Sequence, residues 1–469
     1  MQTQCSREQF EFQGLGPRRV VAEFSGGDIT SDAGALLLRE VEGTREIISG
    51  FAECFDDHRN PKLTEHTLVE LLGQRVYGIA LGYEDVSDHD DLRRDPLLAT
   101  LVGKLDPTGQ DRRKQQDRGC PLSGKSTLNR IERTPADASA ENRYAKVVYR
   151  SEKVERFFVD TFLSGYAKAP EKIVLDFDAT DDPLHGTQEG RFFHGYYRHY
   201  CYLPLYVFCG DALLAAKLRS SNIDGAAGTV EELERIVAHI RERWPDVQII
   251  VRGDSGFARD AIMSWCEANG VDFILGLAKN ARLIRKIETQ LEHVRRKHLV
   301  SGHAARCFRD FTYRTQKSWS RKRRVVGKAE HLAKGPNPRF VVTSLTKEAY
   351  GTRELYEKLY CARGDMENRI KEQQLGLFAD RTSSHTMRAN QLRLWFSSVA
   401  YVLLRELRRL GLEGTELAKA QVWTIRNKLL KIGAVVTVSV RRVFVQLSNA
   451  YPHAPLFADV WKRLLTVRE

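Results

Sequence analysis

Hydrophobic periodicity divides the chain into three textures, and in the first of them apolar residues recur at helical spacing. A short strand over 20–24 and a Gly26-Gly27 turn precede a helix over 33–41 that carries Leu36, Leu37, Leu38 and Val41. Residues 64–82 predict a stronger helix. Thr64 stands where a cap is needed, and Leu68, Leu71, Leu72, Val76, Ile79 and Ala80 fall on one face. Between 103 and 125 the periodicity fails and polar, charged residues take over, which predicts an exposed loop. A helical segment over 136–167 then leads into the second texture.

From 172 onward, runs of β character alternate with amphipathic helices. Residues 172–178, 202–209 and 212–218 read as successive strands, 230–244 as a helix, 247–251 as a strand, 258–269 as a helix and 273–277 as a strand. The order β-β-β-α-β-α-β is that of a ribonuclease-H-like domain, a mixed sheet with helices on its faces. In that topology the first and fourth strands are neighbours. A third texture follows after 300, with strands over 308–313, 323–326 and 339–344 joined by basic loops. Helices over 352–374 and 390–410 come next, the second with an apolar face of Leu394, Phe396, Val399, Leu403 and Leu407. A hairpin over 434–440 and 443–447 turns at Arg441-Arg442.

Charge sharpens this picture. The 469 residues include 73 Lys and Arg against 61 Asp and Glu, a formal net charge of +12, an excess suited to neutralising phosphates. No run of about 18 apolar residues occurs and the start is unlike a signal peptide, so a cytoplasmic protein without a membrane segment is expected. The eight cysteines, Cys5 among them, form no Cys-x-x-Cys pair or zinc spacing and read as reduced.

Three acidic residues stand in contexts suited to holding a metal ion. Asp178 ends a strand-like run, Asp254 follows the apolar run 249–251 in Gly253-Asp254-Ser255-Gly256, and Glu367 lies in a helical stretch. Such a triad can hold two Mg²⁺ ions for an in-line displacement at phosphorus, with Mn²⁺ as a substitute. Asp176 leaves the same strand face as Asp178 and is the reserve for the first position. Asp365 and Glu372 are rivals of Glu367. Tyr360, Arg363 and Glu367 lie at i, i+3 and i+7, one helix face, where the tyrosine and arginine can hold the phosphate to be cut. The plainer alternatives are a turn aspartate at 254 and a surface Arg363–Glu367 pair.

These residues resemble the group 1 DDE transposases of prokaryotic insertion sequences. The matches are Asp178-Ala179-Thr180, Arg252-Gly253-Asp254-Ser255-Gly256-Phe257, and the helix with Tyr360, Arg363 and Glu367. Asp57-His58-Arg59-Asn60-Pro61, Gly82-Tyr83-Glu84-Asp85 and Gly124-Lys125-Ser126-Thr127-Leu128-Asn129-Arg130 resemble the family's N-terminal region. The resemblance implies a β-rich insertion between the second Asp and the Glu, a hairpin intermediate on the excised DNA end, and a Lys seven residues after the Glu. Gln374 occupies that last position here, and Lys371 one turn earlier is the candidate replacement.

An α/β chain in five parts is therefore expected. They are a mainly helical DNA-binding region over 1–168, the first part of a ribonuclease-H-like catalytic domain over 169–279, a β-rich insertion over 280–350, the catalytic helix over 351–412, and a C-terminal helix and hairpin region over 413–469. The expected activity is cut-and-paste transposition, with Asp178, Asp254 and Glu367 as catalytic metal ligands. The expected partners are terminal inverted repeats and target DNA, bound as a homodimer in the nucleoid. A nuclease of the same fold without strand transfer and a catalytically silent DNA-binding protein are the alternatives. Gly119-Cys120-Pro121-Leu122-Ser123-Gly124-Lys125-Ser126 fits a nucleotide-binding loop, but no apolar strand delivers it, so no nucleotide is expected. Ser126 is read instead as a helix cap, with Lys125 exposed to a DNA phosphate. Trp319 among Lys317, Arg321, Lys322, Arg323 and Arg324 reads as a ring for stacking on an unpaired base.

Overall fold

The computed structural model describes residues 9–468, so Cys5 lies outside the described residues. The chain is mixed α/β and divides into two compact units, Tyr149–Ser398 and the combination of Met1–Val148 with Val399–Glu469.

The Tyr149–Ser398 unit is organised around one sheet of β1 (Lys172–Ala179), β2 (Leu205–Cys209), β3 (Ala212–Lys217), β4 (Gln248–Gly253), β5 (Asp272–Leu277), β6 (Ala305–Tyr313), β7 (Arg323–Leu332) and β8 (Arg339–Thr343). Their order across the sheet is β3-β2-β1-β4-β5-β8-β7-β6, with the two-residue strand Gly335–Pro336 beside β7. β1 runs parallel to β4 and β4 to β5, and the other neighbours are antiparallel. The central strands are covered on both faces, which is why they read as almost continuous apolar runs. Ile173, Leu175 and Phe177 of β1 face a core shared with helices α1 (Ser151–Ser164), α2 (Thr229–Arg243) and α3 (Asp260–Ala268). Val174 and, from neighbouring strands, Ile250, Ile274, Val326 and Val341 face the opposite side, where Leu355 and Tyr356 pack. Period-2 alternation therefore puts Asp176 and Asp178 on this second face.

Strands β6, β7 and β8 extend the same sheet beyond β5, which would otherwise present an open edge. Helix α4 (Glu288–Ser301) sends Val294 into the first core beside them. The strand expected over 202–209 is broken at Pro204, which has no N–H for a ladder. Its first residue, Tyr202, belongs instead to a small sheet of Asp182–Pro183, Phe192–His194 and His199–Tyr202, which fills the β1–β2 connection. The segment after β8 is helical but changes pitch. A π-helical turn, Leu355–Tyr360, gives way to a 3₁₀ turn, Cys361–Arg363, and then to α5 (Gly364–Leu377). The unit boundary falls within the next helix, α6 (Met387–Leu407).

In the other unit the helix Leu68–Leu81 starts later than the apolar pattern suggests. Thr67, not Thr64, caps it, in a capping box with Glu70. The helix expected over 136–167 is interrupted by the strand Val147–Tyr149, where a unit boundary falls, and begins only at Ser151 as α1 of the Tyr149–Ser398 unit. The C-terminal hairpin Ala434–Ser439 and Arg442–Leu447 joins Ile29–Thr30 in a three-stranded sheet. Among the described residues no helix is long and apolar enough to cross a membrane. Cys120, Cys201 and Cys266 are buried and Cys361 is exposed, none in a disulfide.

Candidate active site

Asp176 and Asp178 share a face but have different surroundings. Asp176 is 2 % exposed and lies opposite Arg252, its register neighbour on β4. The guanidinium binds it in a fork, with Nη2 donating to Oδ2 at 2.7 Å, while Nη1 donates to the Leu359 carbonyl of the π turn. Asp176 is thus committed to a buried ion pair, and Arg252 ties the sheet to the segment that carries Tyr360. Nothing in the sequence pattern assigned Arg252 this role. The available signal was a lone cation closing an apolar strand, two residues before Asp254.

Asp178 keeps its carboxylate without such a partner. Its pKa is pushed up to about 7, first by burial. Arg363 opposes that rise, and Asp254 and Glu367 add to it through their charges. The three acidic residues singled out in the sequence therefore share one electrostatic field. Arg363 stands among them, with Nη1 3.6 Å from Asp178 Oδ2 and Nη2 donating to Glu367 Oε1. Asp254 ends β4 as the cap of a 3₁₀ turn, its Oδ1 accepting from Gly256 N–H at 2.7 Å. Gly276 on β5 permits this turn, because a Cβ there would lie 2.9 Å from Ser255 N and 2.5 Å from the Tyr360 hydroxyl. Tyr360 and Arg363 border a cleft of about 550 Å³ together with Asp254, Ser255, Lys279 and Arg339. The change from π to 3₁₀ pitch falls between Tyr360 and Glu367, so uniform α spacing does not describe their placement.

The rivals have other surroundings, although Asp365 is near enough for its charge to act on Asp176. Glu372 is fully buried with Arg369 3.1 Å away, and Asp365 is exposed. Lys371 is exposed one turn beyond Glu367. Gln374 points its amide at Asp181 O (3.1 Å) and Asp182 Oδ1 (2.9 Å). Trp319 departs from the expectation. Only 4 % exposed, it packs edge-on against Tyr313 at 5.7 Å and belongs to the main core, so no base can stack on it. Three of the cations around it, Arg321, Arg323 and Arg324, have structural partners. Arg323 pairs with Asp260 and Glu267, and Arg324 with Asp310.

Lys125 lies in the other unit, half-exposed and 2.9 Å from Asp90. It opens the helix Lys125–Glu132, whose cap is Gly124, not Ser126, and the element immediately before the loop is a 3₁₀ turn, Gln115–Asp117, rather than a strand. A cleft of about 500 Å³ adjoins this helix start, bordered by Lys114, Arg130, Arg143 and Lys146. The guanidinium carbons of Arg130 and Arg143 sit 4.7 and 4.9 Å from the centre of the Tyr144 ring. His66, also bordering this cleft, has its pKa driven down to about 3 by burial and then by Lys104, Arg112, Arg93 and Arg59. Arg59, Arg93, Arg112, Lys114, Arg130, Arg143 and Lys146 line the cleft against Glu65, Asp90 and Asp117, so basic residues outnumber acidic ones there.

Among the described residues no group of three His, Cys, Asp or Glu side chains is arranged as a metal ligand set. The donor chemistry at Asp178 nevertheless suits a hard divalent cation, because a buried carboxylate whose charge is opposed by two others gains most from one. Arg363 supplies the compensating positive charge in this arrangement. In comparisons with known proteins, the family described as Transposase DDE domain group 1 matches residues 12–469, and no curated protein matches the chain.

Proposed function

The chain belongs to the family of the group 1 transposase DDE domain, and from that premise we propose a DNA transposase that excises an insertion sequence and pastes it into a target, with Asp178, Asp254 and Glu367 as its catalytic carboxylates. The observation that carries this reading is the common field of the three residues around Arg363. The order β3-β2-β1-β4-β5, with β1, β4 and β5 parallel, supports a ribonuclease-H-like catalytic domain. In it, Asp178 and Asp254 leave the ends of adjacent parallel strands, a usual place for ligand groups in α/β sheets.

Mg²⁺, two ions with Mn²⁺ as a substitute, would supply Lewis-acid stabilisation of the attacking and leaving oxygens when held by Asp178, Asp254 and Glu367. The residues themselves do the positioning. Arg363, released from neutralising two carboxylates, presents its planar fork to the scissile phosphate, a geometry that lysine cannot reproduce. The Tyr360 hydroxyl, kept near Asp254 by the missing side chain at Gly276, donates to the same phosphate. Lys279 and Arg339 line the adjoining cleft and neutralise flanking phosphates, and Lys371 reaches the strand one helix turn further on. In the other unit the Arg130 and Arg143 cleft, with Lys125 near its rim, holds the backbone of the terminal repeats. Two copies acting on paired ends, in the prokaryotic nucleoid, complete the reading.

The test is product analysis on a duplex copied from the DNA border of the gene, with a second duplex as target. A Mg²⁺-dependent cut whose 3′-hydroxyl end becomes joined to the target supports transposition. Cutting without joining would instead establish a nuclease, and binding without cutting a silent DNA-binding protein.

A further inference from the structure

The connection between β1 and β2 is a hairpin rich in exposed rings. Its strands pair Phe193 with Tyr200 and His194 with His199, and Arg198 N–H closes the turn on the His194 carbonyl at 2.8 Å. Phe193 is 58 % exposed, Tyr196 at the tip 84 % and Tyr200 45 %. Aromatic surface at this density is not ordinary for a solvated loop.

The hairpin is held firmly at its base. His199 Nε2 lies 2.7 Å from Asp181 Oδ2, Tyr202 donates its hydroxyl to the Glu189 carbonyl at 2.6 Å, and Ser221 Oγ donates to the Phe192 carbonyl at 3.0 Å. The rings are thus presented on a fixed scaffold and lose little freedom on binding. Their position follows from topology. Asp178 on β1 and Tyr206 on β2 are direct register partners, and the hairpin occupies the chain between those two residues. It therefore rises from the end of the sheet where Asp178 stands. Cations accompany the rings. Arg191 lies over the Tyr200 ring at 4.6 Å, and Arg198, exposed at the turn, adopts a left-handed conformation with φ of 63°.

We propose that this hairpin is a stacking platform for unpaired DNA bases next to the scissile phosphate, with Phe193 and Tyr196 as the receiving rings and Arg191 and Arg198 on the backbone. The inference rests on the transposase reading, because it places a DNA strand across Asp178. Tyr197 of the hairpin already feels the charge of Asp178, so a strand so placed passes beside the hairpin, and bases are its π-faced groups. Trp319, the ring that the sequence favoured for this task, is buried and unavailable. Arg191 and Arg198 flank the rings, while the acidic groups of the connection, Asp181, Asp182 and Glu189, lie at its base.

The experiment compares a blunt duplex with the same duplex carrying a short unpaired tail labelled with 2-aminopurine, both in EDTA so that no chemistry intervenes. Wild-type protein should bind the tailed duplex more tightly and quench the label. Phe193→Ala and Tyr196→Ala should each reduce the preference for the tail by about five-fold to about a hundred-fold. Phe193→Tyr and Tyr196→Phe should retain it, and each variant's own affinity for the blunt duplex is its reference for intact folding. A wild-type protein without tail preference, alanine variants that keep it, or a wild-type dimer that these substitutions dissociate would each overturn the proposal. Asp178→Asn separates the two claims. It should keep the tail preference while abolishing cleavage in Mg²⁺, and retained cleavage would sink the catalytic reading while the tail preference still decides the hairpin.

Discussion

Arg252→Met should be among the most damaging single changes outside the acidic residues themselves. Its guanidinium is the fork on Asp176, and the two side chains are 8 % and 2 % exposed. Removing it strands a carboxylate whose pKa burial already pushes upward. Breaking a buried pair from one side costs about 3–5 kcal/mol. For a unit of this size that lowers the melting temperature by roughly 6–20 °C. The double variant Arg252→Met with Asp176→Leu removes both charges and should recover most of the loss, because exchanging a buried pair for apolar groups is often neutral. DNA cleavage should not recover with it. Arg252 also holds the Leu359 carbonyl, so both variants release the turn that carries Tyr360. The assay is thermal unfolding followed by tryptophan fluorescence, beside single-turnover cleavage of the border duplex. A loss under about 1 kcal/mol in the single variant, or full cleavage by the double variant, would refute this account of the strand-to-helix tie.

Asp182 is fully buried, with its pKa pushed up to about 8 by burial, against which Gln374 donates a hydrogen bond. A carboxyl with a raised folded pKa stabilises the fold below its ordinary value, and that contribution is lost as pH rises through about 8. The melting temperature of Asp182→Asn should therefore gain on that of wild type between pH 6 and pH 9, and parallel curves would show the carboxyl to be ionised throughout. Trp319→Ala should cost about 3–5 kcal/mol of stability, as a large core ring does. A soluble variant of wild-type stability with a specific cleavage defect would restore the ring to the DNA. Arg130→Gln with Arg143→Gln should flatten the plot of log binding constant against log salt by roughly 2, one for each phosphate no longer neutralised. An unchanged slope would remove that cleft from the DNA path.

The alternation of Ile173, Leu175 and Phe177 with Asp176 and Asp178 made β1 and its polar face readable from sequence, because a period of two survives where one face of a strand is apolar core and the other carries polar groups. The β4–α3–β5 order was legible for a different reason, since strands covered on both faces read as short continuous apolar runs on either side of an amphipathic helix. Pitch was not. A π turn running into a 3₁₀ turn leaves no mark in hydrophobic spacing, so the Tyr360 to Glu367 segment read as one α-helix. Partners distant in sequence were equally hidden. Arg252 satisfies Asp176 across 76 residues, and Trp319 buries itself against Tyr313 despite five nearby cations. The aromatic hairpin was missed because its exposed rings follow no burial pattern that periodicity can detect, and only its last residue, Tyr202, fell within a stretch read as strand.

The central claim is that Asp178, Asp254 and Glu367 act as one metal-dependent site. The most direct measurement is single-turnover cleavage of the border duplex in Mg²⁺ by Asp178→Asn, Asp254→Asn and Glu367→Gln, with duplex binding recorded for each. Every one of the three should bind DNA as wild type does and cleave at least about 10³-fold more slowly, since each removes a charge that holds the metal. Near-wild-type cleavage by any one of them, with binding and folding intact, would contradict the account.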